Sequence, residues 1–159
     1  GGVYKLSGIE KDGEIIAKIK ISNDPRKINN PGYKQVFRLY DKDNGMALAD
    51  LITLEGESID ESAPLEIFHP LYTYKRKILT NFSAHKLLRP VFKEGKFVGV
   101  RRTVSEIARF SKEQKSKFWL EHLRNVHPQS YKVDLSQKLW DIRKSLINEC
   151  NLNLKEKYV

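Results

Sequence analysis

Two tight-turn dipeptides, Asp12-Gly13 and Asn44-Gly45, constrain this chain more than any other feature. Both lie between stretches rich in apolar and β-branched residues, the pattern that folds one strand back on its neighbour. The first turn separates residues 3–9 from residues 15–21, where Ala17, Ile19 and Ile21 alternate with Lys18 and Lys20. The second lies within Asp41-Lys42-Asp43-Asn44-Gly45, between residues 35–40 and 46–54. Two hairpins in series are expected, and an antiparallel sheet is their natural product.

The link between the hairpins carries the chemistry. Residues 18–38, KIKISNDPRKINNPGYKQVFR, break at Pro25 and again at Pro31-Gly32. They hold six cations (Lys18, Lys20, Arg26, Lys27, Lys34 and Arg38) against one acid, Asp24. Cations on a loop gripped by two strands suit a phosphate or pyrophosphate, where N–H donors converge on one anion. A solvated basic surface loop is the alternative.

At 159 residues the chain fits one domain, or one with a small appendage. No apolar run approaches the ~20 residues of a membrane span, and the N-terminus lacks a secretory pattern. The single cysteine, Cys150, offers neither an internal disulfide nor a zinc cluster, as in a cytosolic protein. On its helical repeat Cys150 reads as packing. The chain opens Gly1-Gly2-Val3-Tyr4 without methionine, as a tag scar or a piece of a longer polypeptide would.

The net charge of +9 is unevenly spread. Residues 43–66 carry seven acids and no base, whereas residues 71–102 carry nine bases and one acid. Such segments can face each other, face solvent, or present a basic surface to an anionic partner. A non-catalytic module for RNA or another anion is therefore the alternative to an enzyme. Against it, the aromatic residues are not interleaved with the bases in a stacking motif.

Further along, the acidic stretch 55–64 reads as a surface connection. Residues 65–68 and 72–79 read as strands around His69-Pro70, and residues 83–88 as a short helix stopping near Pro90. Lys93-Glu94-Gly95-Lys96 marks another turn, between Val91-Phe92 and Phe97-Val98. Thr103 and Glu106 have capping-box spacing. Behind them Val104, Ile107, Phe110, Phe118, Trp119 and Leu123 fall on one helical face, interrupted by polar residues 111–117. After Pro128, Asp134-Leu135-Ser136 is expected to begin a second helix through Leu139, Ile142 and Leu146. The fold class is α+β: antiparallel β hairpins followed by a C-terminal helical pair.

No two of His69, His85, His122 and His127 stand at a metal-ligand spacing with a third ligand nearby. Nucleophile-elbow and glycine-rich phosphate motifs are missing. Trp119 and Trp140 read as packing residues. Asp50, inside an apolar strand, is either outward-facing or the partner of a strand cation; the outward orientation is expected.

Several motifs together resemble the C-terminal part of nicotinate phosphoribosyltransferases. They are GGVYKL, KISNDPRK, PGYKQVFRLYD and ADLITL, then KRKILTNFSAHKLLRPVFKEGKFV and VDLSQKLWDIRKSLI. The resemblance runs in order from Gly1 to about Ile147. It implies an enzyme that joins nicotinate to phosphoribosyl pyrophosphate, driven by ATP hydrolysis through a phosphohistidine on an α/β barrel. None of the four histidines here matches that motif, so the fragment alone is expected to be inactive. By the same resemblance, residues 1–54 are returning strands of the β domain with a basic substrate-side loop. Residues 55–159 are the family's C-terminal domain.

The resemblance places Lys20, Ser22 and Lys27 near the pyrophosphate or the ATP phosphates, with Lys34 and Arg38 as further candidates. It assigns no catalytic residue and no metal ligand to this segment. ATP and Mg²⁺ belong to the parent enzyme, which is expected to be a cytoplasmic homodimer without a membrane or specific nucleic-acid partner.

Overall fold

The computed structural model describes residue 2 and residues 4–157, the last six by backbone alone. The first expected strand starts at Val3, which lies outside the described residues. Within them the first hairpin is short: β1 (Gly8–Lys11) pairs with β2 (Glu14–Ala17) around Asp12 and Gly13. Both turn residues have positive φ, 53° and 81°, as a two-residue hairpin turn of this hand requires. The alternation through Ile21 therefore continues only to Ala17 as a strand.

The second hairpin is the spine of a six-stranded sheet. β3 (Lys34–Asp41) and β4 (Ala47–Leu54) run antiparallel, with Phe37 opposite Leu51, Arg38 opposite Asp50 and Leu39 opposite Ala49. Their turn is longer than Asn44-Gly45 alone. The Asp41 carboxylate accepts from Asp43 N, the Asn44 amide oxygen accepts from Met46 N, and only Gly45 has positive φ. A register shift between Leu39 and Tyr40 accommodates the extra residue.

β5 (Leu65–Phe68), β6 (Arg76–Leu79) and β7 (Phe82–Lys86) extend the sheet, whose order is β6-β5-β10-β4-β3-β7. Residues 83–88 are thus not a helix. Phe82 and Ala84 turn toward the core at strand spacing while β7 pairs with β3, and that pairing overrides local helical preference. Thr80 and Asn81 alone join the two edge strands, β6 and β7, so the sheet curls around its contents. Phe37, Leu39, Ala49, Leu51, Ile67, Leu79 and Phe82 form that buried core.

The remaining strand arrives late. β10 (Val133–Leu135) slots between β4 and β5, parallel to the former, which makes the sheet mixed. Residues 134–136 are therefore not the first helical turn. The Ser136 hydroxyl instead accepts from Leu139 N at 3.2 Å, and α3 (Gln137–Lys157) begins behind it. Leu139 is buried, and Trp140 meets Phe68 edge-on with ring centroids 6.0 Å apart.

The helix behind Thr103 ends sooner than its apolar face implies. A complete capping box starts α1 (Val104–Lys115), and a separate short α2 (Leu120–Leu123) follows. No residue of α1 is buried. Trp119, expected to pack, is 43% exposed at the N-cap of α2. Between sheet and α1 lies a small hairpin, β8 (Phe92–Lys93) with β9 (Lys96–Phe97), turning through Glu94 and Gly95.

Phe82 is fully buried at the start of β7. Phe82→Ala is expected to cost about 3–5 kcal/mol through lost burial and the cavity left behind, measured as a lower urea midpoint with an unchanged slope.

Candidate anion site on the basic bend

Residues 18–33 form an ordered bend pinned from within. Lys18 N and Gly32 N both donate to Ser7 O, closing the mouth of the loop against the first hairpin. Asn29 then crosses the bend: its amide oxygen accepts from Lys20 N at 2.7 Å, and its Nδ2 donates to Leu6 O and Lys18 O. At the tip, Pro25–Lys27 make one 3₁₀ turn. Asp24 caps it by accepting from Arg26 N and from Arg26 Nε and Nη2, each at 3.0 Å. The Arg26 side-chain hydrogen bond lowers the Asp24 carboxyl below its usual range.

The C-terminal helix braces the same tip. Arg143 is buried on α3 and donates from Nη2 to Pro25 O at 3.5 Å. Burial lowers its basicity.

The five expected anion ligands differ in what already meets them. Lys20 and Lys27 are exposed, and among the described residues no carboxylate lies within ion-pair distance of either ammonium. Ser22 Oγ accepts from Asp24 N at 3.3 Å, which leaves its hydroxyl proton to be donated. Lys34 donates to the carbonyls of Asn30 and Gly32, and burial lowers its pKa. Arg38 forms a two-pronged pair with Asp50, Nε to Oδ1 and Nη2 to Oδ2, both at 2.8 Å. Lys20, Ser22 and Lys27 thus belong to the bend, while Lys34 and Arg38 stand on β3.

Asp50 does not face outward to solvent. It is the partner of Arg38, because the hairpin register sets the two directly across from each other. Tyr131 Oη donates to Asp50 Oδ1 at 3.0 Å, and Phe118 lies 4.8 Å beneath the guanidinium carbon. Burial, then the Asp50 charge, pushes the Tyr131 phenol up from its ordinary value. The Asp50 hydrogen bond likewise raises the Arg38 pKa. Asn29, Arg143 and Tyr131 were not singled out from sequence. Asn29 follows from no motif, and Arg143 and Tyr131 lie 118 and 81 positions from Pro25 and Asp50, the residues they bond.

The family described as the nicotinate phosphoribosyltransferase C-terminal domain matches residues 33–143. The chain belongs to that family. It is 35% identical over 156 residues to nicotinate phosphoribosyltransferase of Bacillus subtilis, covering 98% of this chain and 32% of that enzyme. The Dictyostelium discoideum enzyme is 32% identical, covering 89% of this chain and 24% of its own length. A crystal structure of human nicotinic acid phosphoribosyltransferase superposes with a TM-score of 0.66 at 26% identity, over 74% of this chain and 23% of that one. The chain spans about a third or less of the curated relatives it matches, and it corresponds to their C-terminal part. This membership supports the enzyme reading, not a free-standing RNA module.

Because the raised phenol pKa belongs to the folded state, Tyr131 favours folding fully below the unfolded value of about 10 and progressively less above it. Tyr131→Phe is expected to cost about 1 kcal/mol near neutrality. It should also flatten the loss of stability on going alkaline, read from urea titrations at several pH values.

Proposed function

We propose that this chain is the C-terminal part of an enzyme that makes nicotinate mononucleotide from nicotinate and phosphoribosyl pyrophosphate, coupled to ATP hydrolysis in NAD synthesis. Family membership supports the reaction class. One observation carries the role of the bend: Lys20 and Lys27 stand exposed on a rigidly pinned loop with no carboxylate neutralising them among the described residues.

In the reaction, the bond from ribose C1 to the pyrophosphate oxygen breaks as the nicotinate ring nitrogen bonds to C1. Negative charge builds on the departing pyrophosphate. The ammonium groups of Lys20 and Lys27 and the hydroxyl of Ser22 would receive that charge, or bind the ATP phosphates, with little reorganisation because Asn29 and Asp24 already hold the backbone. Lys34 and Arg38 would contribute through position, since backbone carbonyls and Asp50 already occupy their donors.

Among the described residues no group of three or more His, Cys, Asp or Glu could hold a metal ion, so this segment offers no all-protein cage for Mg²⁺. Its protein ligands would come from elsewhere in the enzyme. A homodimer and a cytoplasmic location complete the proposal. No helix among the described residues is long and apolar enough to cross a membrane. The assignment of residues 1–54 to the β domain and 55–159 to the C-terminal domain is part of the same proposal, with the six-stranded sheet joining them.

In the complete enzyme, Lys20→Ala and Lys27→Ala should each raise KM for phosphoribosyl pyrophosphate or lower kcat. Loss of one charge-assisted hydrogen bond predicts a kcat/KM about tenfold lower or more. Steady-state kinetics matching wild type for both variants would remove the bend from the mechanism.

A further inference from the structure

A cavity of about 290 Å³ lies where β7 and the loop after it meet α1, and none of its lining comes from the basic bend. Lys86, Arg89, Arg102 and Lys117 line it, joined by His85 and by Tyr40, Phe110 and Gln114. No carboxylate is among the lining residues. The carboxylates of α1 are engaged with other groups. Glu106 closes the capping box on Thr103, and Glu113 sits 3.9 Å from Arg109.

Three of these four cations lie over aromatic rings. Lys117 Nζ lies 5.1 Å from the Tyr40 ring centroid, the Arg102 guanidinium carbon 4.7 Å from that of Phe110, and Lys86 Nζ 5.8 Å from that of Phe37. A ring face orients a cation without cancelling its charge. Among the described residues none of these four cations is within ion-pair distance of an acid. Arg38 makes the contrast: it too lies over a ring, yet Asp50 neutralises it. Four like charges around one concavity repel one another, and a multiply charged anion relieves that repulsion.

We propose that this cavity is an anion-binding site for a short polyphosphate, whether free or as the phosphate chain of a nucleotide. Two guanidinium groups offer forked donors to adjacent phosphate oxygens, and two ammonium groups add point charge. The volume lies near the ~300 Å³ lower bound of small-molecule sites, which suits a phosphate chain better than a bulky ligand. β3 supplies Tyr40 and the edge strand β7 supplies His85 and Lys86, while α1 and its flanks supply Arg102, Phe110, Gln114 and Lys117. Occupancy would therefore tie α1, which buries none of its own residues, to the sheet.

Inorganic tripolyphosphate and lysine acylation read by mass spectrometry test this in the full-length protein. Expected is slowed acylation of Lys86 and Lys117 at matched ionic strength, with Lys77 on the opposite sheet edge unaffected. Arg89→Ala with Arg102→Ala should abolish that protection and weaken tripolyphosphate binding at this site at least about tenfold. Lys20→Ala with Lys27→Ala should leave it intact, which separates this site from the bend. Equal slowing at Lys77, no slowing at Lys86 and Lys117, or full protection in the double arginine variant would overturn the proposal.

Discussion

The Arg38–Asp50 pair is the contact on which the docking of the late chain against β3 and β4 depends. It locks β3 to β4 at a directly opposed pair, then recruits the chain from Phe118 to Lys132 through Phe118 and Tyr131. Backbone bonds follow the same path: Ala47 N donates to Lys117 O and Asp50 N to Lys132 O. Taking such a pair out of water costs desolvation energy, which the two-pronged geometry and the Tyr131 donor offset. A lone charge at either position would have no such compensation. The pair therefore specifies where the late segment docks, and with it the path that delivers β10 to the sheet.

Charge in this molecule divides into three kinds by its surroundings. Arg38, Arg76 and Lys132 are matched by carboxylates and serve structure. Lys34 and Arg143 are spent on backbone carbonyls and hold loops. Lys20 and Lys27 on the bend, and the ring-supported cations between β7 and α1, remain uncompensated by acids among the described residues. The acidic stretch 55–64 likewise serves structure. Glu57 accepts from Leu54 N and Ser136 Oγ, and Glu61 accepts from Ala84 N while lying 3.6 Å from Lys42.

Local chemistry was readable where one short segment decides its own conformation. The Asp12-Gly13 and Glu94-Gly95 turns, the Thr103 capping box and the reversal of the chain at Asp41–Gly45 all depend on near neighbours. What could not be read depends on distant partners. Residues 83–86 have no strong strand signal, and become part of a strand because β3 presents an edge for them to pair with. Leu135 shares its spacing with a helical face, yet the gap between β4 and β5 claims it. Asp50 shows why the site was only half visible: its orientation follows from a register that a bulge at Leu39/Tyr40 displaces by one residue. The cations of the bend could be found by composition alone, whereas Asn29 and Arg143, which shape it, could not.

The placement of β10 has a consequence for how the protein is made. A strand from residues 133–135 fills the middle of the sheet, between partners translated some 65 or more positions earlier. As the nascent polypeptide leaves the ribosome, the facing edges of β4 and β5 stand open until that segment emerges. Open strand edges invite pairing with other chains. The growing protein is thus exposed to misassembly until that strand emerges, and chaperone protection would be needed most just before α3 appears.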